Sequence, residues 1–190
     1  MQALEHCPEI GEFIVVAEPE RFGIVRAMAA RYACVKMKGT APASATRLSC
    51  LASGVAAFPA PVDWVVIHEA SRPFTRPAGI SAVIQAAVKS KGSAATGFRI
   101  LPTVRTGARG KTSRRVAAGA GLWTVATPIV CPFKALQKAV AKLRKSKTAL
   151  VDETELMDLL KLPVVLVECE ETNLRFQCAD DLVVAAHLLG

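Results

Sequence analysis

Aromatic residues are scarce: Phe, Trp and Tyr together make up 5% of the 190-residue chain. Proteins that hold single-stranded nucleic acid stack bases on successive aromatic faces, so that mode of binding has poor material here and a nucleic-acid partner is not expected. No apolar stretch approaches the roughly 18 residues that a membrane-spanning helix needs, and no membrane partner is expected. The opening MQALEHCPEIGEF lacks a basic segment followed by an apolar core, so a soluble, cytoplasmic protein is the expectation. The six cysteines include no CxxC pair and no Cys/His grouping at metal spacing. That excludes the usual zinc and disulfide frameworks and leaves cysteine as a small apolar filler in a reducing compartment.

Acids are the scarcer charge, at 16 against 24 bases, and the formal net charge of +8 favours an anionic partner. By charge alone, nucleic acid, phosphorylated metabolites and acidic lipid all fit that description. One cluster, Arg99, Arg105, Arg109, Lys111, Arg114 and Arg115, contains no acid at all. A further basic run, from Lys134 through Lys138, Lys142, Arg144 and Lys145 to Lys147, reads as the solvated face of a helix. At 52% hydrophobic composition the chain supports one core, and residues 1–190 are read as a single domain.

Short β-branched runs alternate with longer amphipathic stretches. The periodicity predicts strands at Phe13 to Ala17, Ala33 to Met37, Trp64 to Ile67, Ser93 to Ile100 and Val164 to Glu168, while Leu122 to Ala126 and the TP step at Thr127 and Pro128 lead into a helix. Helices are expected over Pro19 to Tyr32, Leu48 to Phe58, Pro77 to Ser90, about Pro132 to Lys145, the VDETELMDLL segment, and Leu182 to Leu189 behind a capping Asp180 or Asp181. The stretch KGTAPASATR reads as turn-rich. Strands alternating with helices of this length imply an α/β fold with right-handed crossovers and a mostly parallel sheet covered on both faces.

The most informative stretch is VVIHEASRPFTRP, Val65 to Pro77, where a buried strand runs into His68, Glu69 and Arg72. Open parallel sheets bind ligands beyond the carboxyl ends of their strands. A carboxylate there can hold Mg²⁺ against nucleotide phosphates. Arg72 can brace the loop by pairing with a carboxylate, or donate to a ligand. His-Glu is equally a solvated strand exit, and spacing alone leaves both readings open.

HEASRPF is similar to the HDAARPF signature of the 2-C-methyl-D-erythritol 4-phosphate cytidylyltransferases, and other segments follow in the same order. GTAPASATRLSCLASGV resembles that family's GGxxRxxSVxxGL element, LPTVRTG its VxDTIK, GLWTVATP its LWxxQTPQ and VDETELM its TDDAxLV. LVECEETNLRFQCADDLVVA resembles LVEGxxxNIKITxPEDLxxA. The resemblance implies a doubly wound nucleotide-binding α/β fold, and a homodimer in which a protruding β-arm, here about residues 102–121, helps complete the partner's site. It also implies transfer of CMP from CTP to methylerythritol phosphate, with Mg²⁺ as cofactor.

Carried over by position, Glu69 stands where the family has its metal-binding aspartate. Arg72 keeps the arginine of RPF, and Arg175 replaces the lysine of NIK; these two are the expected catalytic charges. Gly39, Arg47 and Cys50 fall in the nucleotide-contacting GGxxRxxSV element, with Cys50 in place of its serine. Thr103, Arg105, Asp152 and Asn173 are the expected substrate-binding residues. The family's opening strand, AAGxGxRM loop and PKQ lysine have no counterpart, so the domain reads as N-terminally incomplete. Thr40, Pro102, Ala118, Gly119, Ala126 and Ile129 replace further family residues. These departures leave a second expectation beside the enzyme: a non-enzymatic dimeric relative or nucleotide-binding scaffold.

Overall fold

The structure is a computed structural model, and it describes residues 1–58, 62–100, 104–106, 114–115, 121–146, 150, 154–159 and 161–189. In chain order these form helix α1 (Gln2–Glu5), strand β1 (Phe13–Ala17), a 3₁₀ turn (Pro19–Arg21) leading into α2 (Phe22–Arg31), β2 (Met37–Pro42), α3 (Arg47–Ala56), β3 (Trp64–Ile67), α4 (Pro77–Ser90) and β4 (Ser93–Arg99). The short strands β5 (Arg105–Thr106) and β6 (Arg114–Arg115) follow, then β7 (Trp123–Pro132), α5 (Phe133–Ser146), α6 (Thr154–Leu159), β8 (Val164–Glu168) and α7 (Asp181–Leu189).

The α/β reading holds, but the sheet is mixed. β1 pairs with β2 in parallel, while β3, β7, β4 and β8 form a second ladder in that order. Within it β4 and β8 are parallel, whereas β7 runs antiparallel to both β3 and β4. The expected protruding arm is represented among the described residues only by the antiparallel pairing of Arg105 with Arg115 and Thr106 with Arg114.

Two boundaries differ from the sequence expectation. The second strand is the turn-rich KGTAP region and not Ala33 to Met37, because β1 pairs with it from Phe13 opposite Met37 to Ala17 opposite Pro42. Tertiary pairing overrides its weak local propensity. The stretch expected only to lead into a helix is itself a strand, β7, which runs from Trp123 through Thr127 and Pro128 to Pro132. The β4 partners jump there from Ile129 opposite Ala95 to Ala126 opposite Thr96, so a bulge takes up the proline that a regular ladder would exclude.

Helices cover both faces of the sheet. Val65 and Ile67 of β3 pack with Leu51 of α3 and Leu136 of α5, while Val66 meets Ile84 of α4 on the opposite face. Ile80, Val83 and Ala87 anchor α4 as its heptad spacing predicts, and each of the larger two contributes about 1.5–3 kcal/mol by burial. Met28 of α2 and Val88 of α4 are exposed, as are Leu182 and Val183 of α7. Asp181 caps the turn before α7, accepting from the backbone N–H groups of Gln177 and Cys178.

Candidate functional site

The end of β3 meets the loop after β8, and the two are joined by ionised side chains. Oε1 of Glu69 accepts from Nη1 of Arg47 at 3.1 Å and faces Nη2 of Arg175 at 3.5 Å, while Oε2 accepts from Nε of Arg72 at 3.1 Å. Each arginine arrives on a different element. Arg47 is the first residue of α3, whose start is fixed by the Thr46 hydroxyl accepting from the Ser49 N–H at 3.1 Å. Arg72 lies in the turn after β3, and Arg175 follows β8.

Burial alone pushes the Glu69 carboxyl upward, but the Arg72 hydrogen bond and the charges of Arg175 and Arg47 outweigh it and hold the group below the ordinary carboxylate range. Among the described contacts, three guanidiniums converge on one carboxylate. The cluster's exposed part belongs to Arg175, at 46% side-chain exposure, and Arg47, at 28%, whereas Arg72 is buried. An anion approaching the strand end therefore meets Arg175 and Arg47 first.

Beneath this layer lies a polar lattice with no unsatisfied buried side-chain atom among the described residues. Nη1 of Arg72 donates to the Asn173 carbonyl at 2.8 Å. The Asn173 amide nitrogen donates to the Thr127 carbonyl and the Cys169 sulfur, both at 2.9 Å, and its side-chain oxygen accepts from the Thr75 hydroxyl at 2.8 Å. His68 is tied in by both ring nitrogens. Nε2 lies 3.2 Å from the Arg72 carbonyl, which can only accept, so that nitrogen carries the proton. Nδ1 then accepts from the Thr127 hydroxyl at 3.3 Å, and the hydroxyl oxygen in turn accepts from the Glu69 N–H at 3.1 Å. Burial, only partly opposed by the bond to the Arg72 carbonyl, lowers the His68 pKa to about 4.

The structure thus brings together Glu69, Arg47, Arg72, Arg175 and Asn173 from the expected set. Asn173 has every side-chain polar atom engaged internally, which makes it a strut. Arg72 braces the loop, as one of the two readings of its position required. Gly39 sits inside β2 opposite Ile14, and Cys50 exchanges hydrogen bonds with the Ser44 backbone at 3.2 Å; neither has a described contact with the Glu69 cluster. Arg105 lies in β5, and its side chain, with Thr103 and Asp152, falls outside the described residues. Thr127 and Thr75, both buried hubs, were not singled out from the sequence. A hydroxyl beside a strand-breaking proline and one closing the RPF turn are their only signals.

A cation held by Glu69 does not fit this arrangement. Both carboxylate oxygens face guanidinium nitrogens, and the described residues contain no group of three or more His, Cys, Asp and Glu side chains placed to hold a metal. Mg²⁺ prefers carboxylate, phosphate and water oxygens, and among the described residues this cluster offers one carboxylate, already paired with three guanidiniums.

A mixed α/β sheet whose strand β3 ends in a cluster of three arginines around one carboxylate defines an α/β protein with a charged site where such sheets bind ligands. Comparison with known proteins makes this specific. The model of the IspD family, 2-C-methyl-D-erythritol 4-phosphate cytidylyltransferase, matches residues 1–190, and the chain belongs to that family. It is 27% identical to the 2-C-methyl-D-erythritol 4-phosphate cytidylyltransferase of Pelotomaculum thermopropionicum, over 97% of this chain and 78% of that protein. Against the bifunctional enzyme IspD/IspF of Desulforudis audaxviator identity is 29%, and the match takes in 48% of that longer protein. Among solved structures, the 2-C-methyl-D-erythritol 4-phosphate cytidylyltransferase of Thermus thermophilus superposes with a TM-score of 0.77 at 26% identity, covering 97% of this chain and 85% of that one. The 4-diphosphocytidyl-2C-methyl-D-erythritol synthase of Anaerococcus prevotii shares the fold, with a TM-score of 0.89 at 20% identity over 100% of this chain and 83% of that one.

Proposed function

We propose that this chain is a cytidylyltransferase that moves CMP from CTP to 2-C-methyl-D-erythritol 4-phosphate. A phosphate oxygen of the acceptor attacks the α-phosphorus of CTP, the new P–O bond forms as the bond to the β-phosphate oxygen breaks, and pyrophosphate leaves. Family membership supplies the reaction. The observation that carries it for this chain is the trio of Arg47, Arg72 and Arg175 converging on Glu69 at the end of β3, with the half-exposed Arg175 facing outward. Catalysis of this kind rests on alignment and charge stabilisation and needs no covalent intermediate. Arg175 and Arg47 are the residues that would take phosphate oxygens, with Arg72 holding Glu69 and the loop in position. Thr103, Arg105 and Asp152 are proposed to line the acceptor side, in a homodimer formed through the arm. No step is assigned to a metal held by Glu69.

Pyrophosphate release from CTP in the presence of methylerythritol phosphate tests this reading. Release above the no-acceptor rate, falling at least about tenfold in Arg175→Gln, is the expected result. Absence of acceptor-dependent release together with measurable CTP binding would sink the enzyme and leave the nucleotide-binding scaffold.

A further inference from the structure

Helix α4 packs on β8 at one end and parts from it at the other. At the C-terminal end of α4 the layer is closed: a Cβ added at Gly92 would lie 2.7 Å from Cγ of Pro163, just before β8 begins. At the N-terminal end a Cβ added at Gly79 would meet nothing within 4 Å. The gap is a cavity of about 240 Å³. Ala78, Gly79 and Ala82 border it from α4, Val167 and Cys169 border it from β8 and the residue after it, and Pro128 also contributes. None of the three helix positions carries more than a methyl group, so α4 supplies a wall and leaves the space open.

The chemistry of this cleft selects against ions. The buried polar side chains that border it are already bonded within the protein. The Thr75 hydroxyl donates to the Asn173 side-chain oxygen at 2.8 Å, the Thr96 hydroxyl to the Pro128 carbonyl at 2.7 Å, and the Asn173 amide nitrogen to the Cys169 sulfur at 2.9 Å. The charges at the border are paired as well, Arg76 with Glu170 at 3.2 Å and Glu168 with Arg99 at 3.6 Å. A charged guest would compete with these pairs. An apolar guest disturbs none of them, and it gains burial against Pro128 and Val167 and a sulfur contact at Cys169, which suits an aromatic ring. A dry apolar cavity of about 150 Å³ already holds benzene, so this one has room for a somewhat larger ring system.

We propose that the cleft between α4 and β8 is a binding site for a neutral aromatic small molecule of about one to two rings, and that an occupant holds the loop after β8 in place. The second part follows from the lining. Cys169 and Asn173 both border the cavity and bond each other, and the Asn173 N–H donates to the Glu170 carbonyl at 3.0 Å. A guest therefore rests on the residues that fix this loop. Glu69, Arg47 and Arg175 do not border the cavity, so the site is separate from the charged cluster. The proposal is independent of the cytidylyltransferase reading.

Indole is the probe, titrated into the ¹⁵N-labelled full chain and followed by the amide signals of individual residues. The signals of Gly79 and Cys169 should shift saturably, and solvent exchange of the Asn173 N–H should slow about threefold or more at saturation. Gly79→Leu fills the cleft from α4 and should weaken the binding read at Cys169 at least about tenfold. Ala82→Leu does the same from an exposed position and leaves the core untouched, so it decides the matter if Gly79→Leu fails to fold. Gly79 and Cys169 signals unmoved up to the solubility limit of indole, parental affinity at Cys169 in Ala82→Leu, or unchanged Asn173 exchange at saturation would overturn the proposal.

Discussion

Nε of Arg72 lies 3.1 Å from Oε2 of Glu69, three residues earlier, while Nη1 of the same guanidinium reaches the carbonyl of Asn173 at 2.8 Å. One side chain thus ties the end of β3 to the loop after β8. Its planar fork serves an acid and a carbonyl in different directions, which an ammonium on a flexible stem does not reproduce.

Arg72→Lys is therefore expected to destabilise the fold by about 2–3 kcal/mol, since it leaves a buried carbonyl short of a donor and loosens a buried ion pair. Glu69 keeps Arg47 and Arg175, so the loss stays below that of stripping an isolated buried pair. Urea unfolding of the two proteins measures it, and an unchanged midpoint would remove Arg72 from its bracing role.

Arg175 should behave in the opposite way. Its side chain is 46% exposed and its contact with Glu69 is the longest of the three, at 3.5 Å. Arg175→Gln should change stability by no more than about 0.5 kcal/mol. Pyrophosphate binding should weaken about tenfold or more, because a charge-assisted contact to the anion is lost. Calorimetric titration with inorganic pyrophosphate distinguishes this from a purely structural arginine.

His68 sets a pH dependence. Its folded-state pKa is about 4, below the ordinary 6.5, so between those values the unfolded chain binds a proton that the folded chain does not. Stability should be fully present above about pH 6.5 and decline as the pH falls towards 4, by up to about 3 kcal/mol. His68→Gln should flatten that part of the curve. Unfolding free energies of both proteins at pH 7 and pH 5 provide the comparison, and parallel curves would contradict the assignment.

Gly92 carries a steric prediction. A Cβ placed there would lie 2.7 Å from Cγ of Pro163 and 2.9 Å from its carbonyl oxygen, at the point where the Ser93 N–H donates to that same oxygen. Gly92→Ala should cost about 1–3 kcal/mol, the usual range for forcing extra volume into a packed site. A thermal melt indistinguishable from the parent would show that β4 and β8 can part there without penalty.

The sequence made the α/β class and α4 legible because apolar periodicity and Pro77 state them locally. The course of β7 was not legible: Thr127 and Pro128 look like an ending, and only the bulge opposite Ala95 and Thr96 lets the strand run on. The same contrast holds at the site. His68, Glu69 and Arg72 announce themselves by interrupting an apolar run. The engagement of Glu69 by Arg47 and Arg175 depends on how α3 and the last loop pack, which no local pattern encodes. The place of Asn173 in the loop is equally illegible, since its partners Thr75, Thr127 and Cys169 come from three separate stretches of chain.

The span of those stretches bears on synthesis. Asn173 bonds Thr75 across 98 positions and Thr127 across 46, and Arg72 reaches it across 101. A chain emerging from its N-terminus can form β3 and α4 long before Asn173 exists, so Glu69 and Arg72 wait without their last supports. A product cut short before β8 would lack both Arg175 and the asparagine strut. The Glu69 cluster is thus completed only when the segment after β8 docks.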